Sequence, residues 1–207
     1  EQGETALTQA ILQKDVELVQ VLTKKAVINL KNKAGETPLT LAIKQGNKEI
    51  IELVMERAKA GLKNDLDQAP LWLAVGLGNL HLIAQLIEGG AQVNRKSTGI
   101  TPVFRAVSLN RVQVLALLIK YNANPSAPNA DGTIPLAEAV AKGNRTLAGI
   151  LLNKSLQPAT DANWRNPLGE PLLTLAVRNQ DEPMIRLLLR YGASVNTGDH
   201  LENTSLH

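Results

Sequence analysis

An all-α solenoid of stacked helix-turn-helix units is the fold class this sequence predicts, on three observations. One short phrase returns six times: Thr5-Ala-Leu-Thr-Gln-Ala-Ile, Thr37-Pro-Leu-Thr-Leu-Ala-Ile, Ala69-Pro-Leu-Trp-Leu-Ala-Val, Thr101-Pro-Val-Phe-Arg-Ala-Val, Ile134-Pro-Leu-Ala-Glu-Ala-Val and Pro171-Leu-Leu-Thr-Leu-Ala-Val. The phrases start 32, 32, 32, 33 and 37 residues apart, a period of like units stacked in a row rather than of one globular core. Each is punctuated in the same places by residues that start and stop helices.

Within a unit the elements follow in order. Thr37 and Thr101 fit a helix N-cap, where a hydroxyl accepts from a free backbone N–H, and Pro38, Pro70, Pro102 and Pro135 fit the first helical position, with φ already set. Each phrase therefore opens a first helix. Ala10, Ala42, Ala74, Ala106, Ala139 and Ala176 recur inside it, each followed by Ile or Val, so a small residue lets neighbouring helices approach closely. Gly46, Gly78 and Gly143, and Asn110 as the next best substitute, then suit a left-handed helix exit. Asn47, Asn79, Asn144 and Asp181 can cap a second helix, with Pro183 tolerated in its first turn. Its buried stripe is expected from Ile50, Ile51 and Val54 in one unit and from Leu187, Leu188 and Leu189 in another. Gly, Asn and Asp clusters follow as hairpin turns.

The phrase resembles the ankyrin repeat, whose signature Thr-Pro-Leu-His-x-Ala opens a unit of about 33 residues. Gly35, Gly99, Gly132 and Gly169 stand two or three residues ahead of it, and Gly89-Gly-Ala-Gln-Val-Asn and Tyr191-Gly-Ala-Ser-Val-Asn close two units in the same style. The resemblance covers nearly the whole chain and implies one ankyrin-repeat domain, 1–207, with β-hairpin-like loops between units. The units run over about 1–31, 32–63, 64–95, 96–128, 129–165 and 166–198, with a partial seventh at 199–207.

Two places depart from the pattern. The stretch 154–167 lengthens one hairpin by about four residues and lacks the Gly-Ala-x-Val-Asn ending, which predicts a projecting or irregular loop. The segment 57–67 also loses that ending, so the second helix there is expected to run on or bend. The chain opens midway through a unit and closes on the start of another, and more protein is expected on both sides.

Composition agrees with a helical array. Hydrophobic residues make up 44%, and no apolar run is long enough to cross a bilayer. The absence of cysteine excludes a disulfide scaffold, a thiolate nucleophile and cysteine-ligated zinc. The net charge of +3 is spread among acids, and aromatics are 2%, which argues against a nucleic-acid partner, since that would need a continuous basic stripe or stacking platforms.

No catalytic constellation is visible. Gly76-Leu-Gly-Asn lacks the third glycine of a phosphate loop, and no nucleophile elbow occurs. His81, expected to face solvent, His200 and His207 share no metal-ligand spacing. Asn64, Asp65 and Asp67 lack the glycine and distal Glu of a calcium loop and read as a hairpin tip. The expectation is no catalytic residue, no cofactor and no metal.

Function must then come from surface. The resemblance implies a protein partner on the concave side, made by the hairpin tips and the outward part of each first helix. The residues at those positions change along the array. The second unit offers Lys33, Glu36, Lys44 and Gln45, a solvated face, whereas the third and fourth place Leu66, Leu77, Ile100 and Leu109 where water is expected. Trp72 and Phe104 stand where the signature has His, either as contacts or as core filling. Trp164, on the long loop, is either a binding anchor or a plug for the missing turn glycine. The expected function is a non-catalytic protein-binding scaffold with no small-molecule substrate and no membrane insertion. Its alternative is the targeting domain of a larger enzyme or secreted bacterial effector. The resemblance implies a cytoplasmic location, in the host if the protein is an effector.

Overall fold

A computed structural model describes residues 5–153, 155–156 and 159–196. The described residues form twelve helices, two per repeat: α1 (Ala6–Gln13), α2 (Val16–Thr23), α3 (Pro38–Gln45), α4 (Lys48–Met55), α5 (Pro70–Leu77), α6 (Leu80–Glu88), α7 (Pro102–Ser108), α8 (Val112–Lys120), α9 (Pro135–Ala141), α10 (Arg145–Leu151), α11 (Leu172–Arg178) and α12 (Glu182–Arg190). The chain divides into two compact units, Glu1–Thr98 with α1–α6 and Gly99–His207 with α7–α12.

The local rules recur along the array, with threonine caps at Thr5, Thr37 and Thr101 and proline starts in four of the first helices. Thr37 Oγ1 accepts from the Thr40 amide at 3.1 Å, Thr101 Oγ1 from that of Phe104 at 3.1 Å, and each of the four prolines opens its helix. Nine residues after each phrase begins, the chain turns left-handed. Gly46, Gly78, Gly143 and Asn110 do so with φ of 75°, 74°, 64° and 55°, and Lys14 and Gln180 reach 58° and 54° without the help of glycine. In five of the six repeats the next residue caps the second helix with its side chain. Asn47, Asn79, Asn144 and Asp181 accept from the amide three residues on at 3.0–3.2 Å, as does Asp15 at 2.9 Å.

Packing follows from these starts and stops. The six phrase alanines are all 0% exposed, which is what close helix approach requires. In the first unit α1 packs on α3 and α3 on α5, with α2 on α4 behind them; in the second α7 packs on α9 and α9 on α11, with α8 on α10 and α10 on α12. Ile50, Ile51 and Val54 form the expected stripe of α4, but in α12 the buried residues are Met184 and Leu188, one turn apart, while Leu189 is exposed. Three consecutive leucines cannot share one face of a helix, so one of them had to turn outward.

Of the two outcomes expected for the second helix of this repeat, running on or bending, the structure has the second: α4 stops at Met55. The chain then bends, with the Ala58 amide donating to Val54 O at 3.0 Å and the Arg57 guanidinium to the carbonyl of Thr23. The loops hold no strand among the described residues and are closed instead by asparagines. Asn32, Asn64, Asn129 and Asn166, five residues ahead of their phrases, each accept from the amide four residues on at 2.8–2.9 Å. Their own amides donate to the same residue's carbonyl at 2.9–3.1 Å. The expected seventh repeat, with His200 and His207, lies outside the described residues.

Candidate partner-binding surface

In the first unit the hairpin tips are tied to one another by charge. Lys31 pairs with Asp65 at 2.5 Å and Lys63 with Asp67 at 2.6 Å, while the Asp65 amide donates to Gly35 O at 2.9 Å and the Thr98 amide to Asp67 Oδ2 at 2.9 Å. The Lys63 ammonium and that amide hold the Asp67 carboxyl below its ordinary range. Gly35 is required here, because its φ is 73° and a Cβ would collide with the Asp65 side chain. The Asn64–Gln68 segment is thus a hairpin tip, as its sequence implied. Leu66 stands at its apex between the two pinned aspartates, 62% exposed.

One repeat earlier the same surface is polar, with Lys33 and Lys44 exposed as expected, but Glu36 is not the solvated charge its sequence suggests. Glu36 is buried at 7% exposure. Its carboxylate accepts from Lys44 Nζ at 2.5 Å, Thr40 Oγ1 at 2.7 Å and Asn64 Nδ2 at 3.0 Å. Burial pushes its pKa up, but the hydrogen bonds from Lys44, Asn64 and Thr40 outweigh burial and leave it below the usual carboxylate range.

Leu77 is 53% exposed and ends α5, whereas Leu66 precedes its start. An eight-residue helix rises about 12 Å, so the two leucines occupy opposite ends of α5 rather than one patch. Leu77 belongs to a cleft of about 400 Å³ between α4 and α6, lined also by Ile51, Leu82, Lys48, Glu52 and the exposed His81. Trp72 is half-buried on the first turn of α5.

In the second unit Leu109 is 44% exposed at the end of α7, Ile100 is half-buried, and Phe104 is 5% exposed. Phe104 therefore fills core, the packing alternative for the aromatic at this position. Burial also pushes the neighbouring Arg105 guanidinium down to about 10. Trp164 is half-buried, and its backbone is held within the long hairpin. Its amide donates to Asp161 O and its carbonyl accepts from Leu172, both at 3.3 Å, next to an isolated bridge between Arg165 and Pro171. Asn163 fastens this loop to the turn after α12, donating to Gly192 O at 3.0 Å and accepting from the Ser194 amide at 2.8 Å. The loop is longer than its neighbours but tied down along its described part.

Sequence reasoning missed Leu168. It stands three residues before its phrase, the same register as Leu66, and is 76% exposed at a tip braced by the Glu170–Arg178 ion pair. Aligning the repeats residue by residue would have exposed the match. Among the described residues no group of three or more His, Asp or Glu side chains is placed to hold a metal ion, and no helix is long and apolar enough to cross a membrane.

Comparison with known proteins places this architecture. A family model described as ankyrin repeats (3 copies) matches residues 1–64, 53–129 and 71–161, and one described as ankyrin repeat matches 168–197. The fold is similar to the crystal structure of the ankyrin repeat domain of Bcl-3, a member of the IkappaB protein family. The TM-score is 0.86 at 22% identity, over 100% of this chain and 94% of that one. A stretch of 88 residues is 32% identical to an ankyrin repeat protein of fowlpox virus (strain NVSL), covering 42% of this chain and 14% of the viral protein's length.

Proposed function

The chain belongs to the ankyrin-repeat family, and from that premise we propose that it is a non-catalytic scaffold that binds a protein partner, with residues 1–207 acting as one ankyrin-repeat domain. Such repeats generally present surface rather than chemistry. The observation that carries the reading is Leu66, an aliphatic side chain 62% exposed at a hairpin apex whose two flanking carboxylates are each paired to a lysine. An apolar group held out rigidly in a polar frame gains contact area on binding at little cost in ordering.

Leu66 in the first unit, and Leu168 with Trp164 in the second, are the anchors we assign first. Leu77, Ile100, Leu109 and Trp72 are flanking contacts, with Phe104 packed in the core behind the surface. Small molecules and nucleic acid are not the ligands in this reading. A second reading is the substrate-targeting domain of a larger enzyme or secreted bacterial effector; the matched stretch is only 14% of the viral relative's length.

The test is affinity capture with the chain as bait, identification of the bound protein by mass spectrometry, and repetition with a Leu66→Asp bait. A partner that is retained by the parent and lost by the variant supports the scaffold reading. Equal recovery on both baits removes Leu66 from the surface.

A further inference from the structure

The second and third repeats part at their second helices. α2 packs on α4, α8 on α10 and α10 on α12, but α4 and α6 do not pack closely, although the first helices of the same two repeats, α3 and α5, lie together. The loop after α4 shows which neighbour holds it. The Arg57 guanidinium donates to the carbonyl of Thr23, and the Lys59 amide donates to Asn29 Oδ1 at 2.8 Å, so this end of the second repeat is fastened to the first. Both donors lie in the segment that lacks the Gly-Ala-x-Val-Asn ending.

What opens between α4 and α6, inside the first compact unit, is the cleft of about 400 Å³, near the lower end of ligand-sized clefts at about 300–1,000 Å³. Ile51 and Leu82, both nearly buried, and the exposed Leu77 give it an apolar lining. Lys48 and His81, both exposed, supply hydrogen-bond donors at its rim. Lys48 Nζ stands 3.8 Å from Glu52, beyond hydrogen-bond range, and this exposed pair leaves the ammonium able to take another acceptor.

The spacing of donors and lining limits what fits. Lys48 precedes Ile51 by three residues, about 4.5 Å of helix rise, and His81 adjoins Leu82. An occupant must therefore carry an aliphatic group and an anionic acceptor within about one residue of each other. In an extended segment the next side chain points to the opposite face, and the one after it lies about 6–7 Å away. A C-terminal residue carries both groups on one Cα.

We propose that this cleft takes the C-terminal residue of a protein partner, its aliphatic side chain against Ile51, Leu77 and Leu82 and its α-carboxylate on Lys48 and His81. The assignment rests on the reading of the chain as a protein-binding scaffold, but not on Leu66.

Amide chemical shifts of the isotope-labelled 207-residue chain, titrated with N-acetyl-leucine, test it. Saturable shifts are expected in α4 and α6 around Lys48, Ile51, His81 and Leu82. N-acetyl-glycine, which lacks the side chain, and N-acetyl-leucine amide, which lacks the charge, should each bind about fivefold or more weakly. Lys48→Ala should weaken N-acetyl-leucine by about threefold and leave the amide's binding unchanged, which separates loss of a charge contact from loss of structure. Leu66→Asp should bind N-acetyl-leucine as the parent does, so failure of the hairpin-tip assignment and failure of this one read out separately. Equal binding of acid and amide, shifts centred away from α4 and α6, or no saturable shift overturns the proposal. Tighter binding of the doubly blocked Ac-Leu-Asp-NH2 than of N-acetyl-leucine would give the cleft to an internal acidic segment and overturns it equally.

Discussion

The second and third repeats are built on one skeleton and present opposite surfaces. Both open a first helix on proline, bury their phrase alanine completely, leave that helix through a left-handed glycine at φ of 75° and 74°, and cap the next helix with asparagine. They part at the positions around the phrase. The second repeat has Glu36 and Lys44, which satisfy each other and reach Asn64 of the third; the third has Gln68 and Gly76 at those positions, and Leu66 and Leu77 stand out into solvent. Residues identical in every repeat can only build the stack. Discrimination between partners must come from those that differ.

The largest effect should come from the shared skeleton. Leu86, 0% exposed in α6, changed to Ala should cost about 3 kcal/mol in chemical denaturation, while Leu66→Ala should stay within about 0.5 kcal/mol. Similar costs for the two would erase the distinction between skeleton and surface.

Next comes the buried network of the second repeat. Glu36→Ala should destabilise by about 1–2 kcal/mol, since Asn64 and Thr40 lose an ionised acceptor. The sign of its pH dependence follows from the lowered pKa. Stability from Glu36 is present above the ordinary carboxylate range and disappears as pH falls through the folded value. Melting temperatures of the parent and of Glu36→Gln should therefore converge on acidification; a constant gap across the acid range would show that the charge is not the source.

A smaller effect is expected at the caps. Asn79→Ala removes the side chain that accepts from the Leu82 amide and should cost about 1 kcal/mol. Leu82 amide exchange should rise with it. An unchanged exchange rate would mean the helix start is held by packing alone.

Much of the skeleton was legible because caps, prolines and left-handed exits obey rules that act within a few residues. The left-handed Lys14 and Gln180 escaped because neither is a residue that favours that region; the register of the repeat imposes it. What the sequence hid depends on neighbours far along the chain. Glu36 reads as a surface charge until Asn64, 28 residues on, is seen to donate to it. The enclosure of Phe104 is set by which helices flank it, not by its own hydrophobicity. Leu66 and Leu77 read as one patch until α5 is laid between them.

The contrast between the two repeats is tested most directly by calorimetric titration of the captured partner into Leu66→Asp and, as the matched control on the polar tip, Lys33→Ala. Leu66→Asp should lose about 2 kcal/mol or more of binding free energy and Lys33→Ala less than about 0.5 kcal/mol, with both melting like the parent. A Leu66→Asp variant that binds as the parent does, or a Lys33→Ala variant that loses more, would contradict the assignment of recognition to the apolar tip.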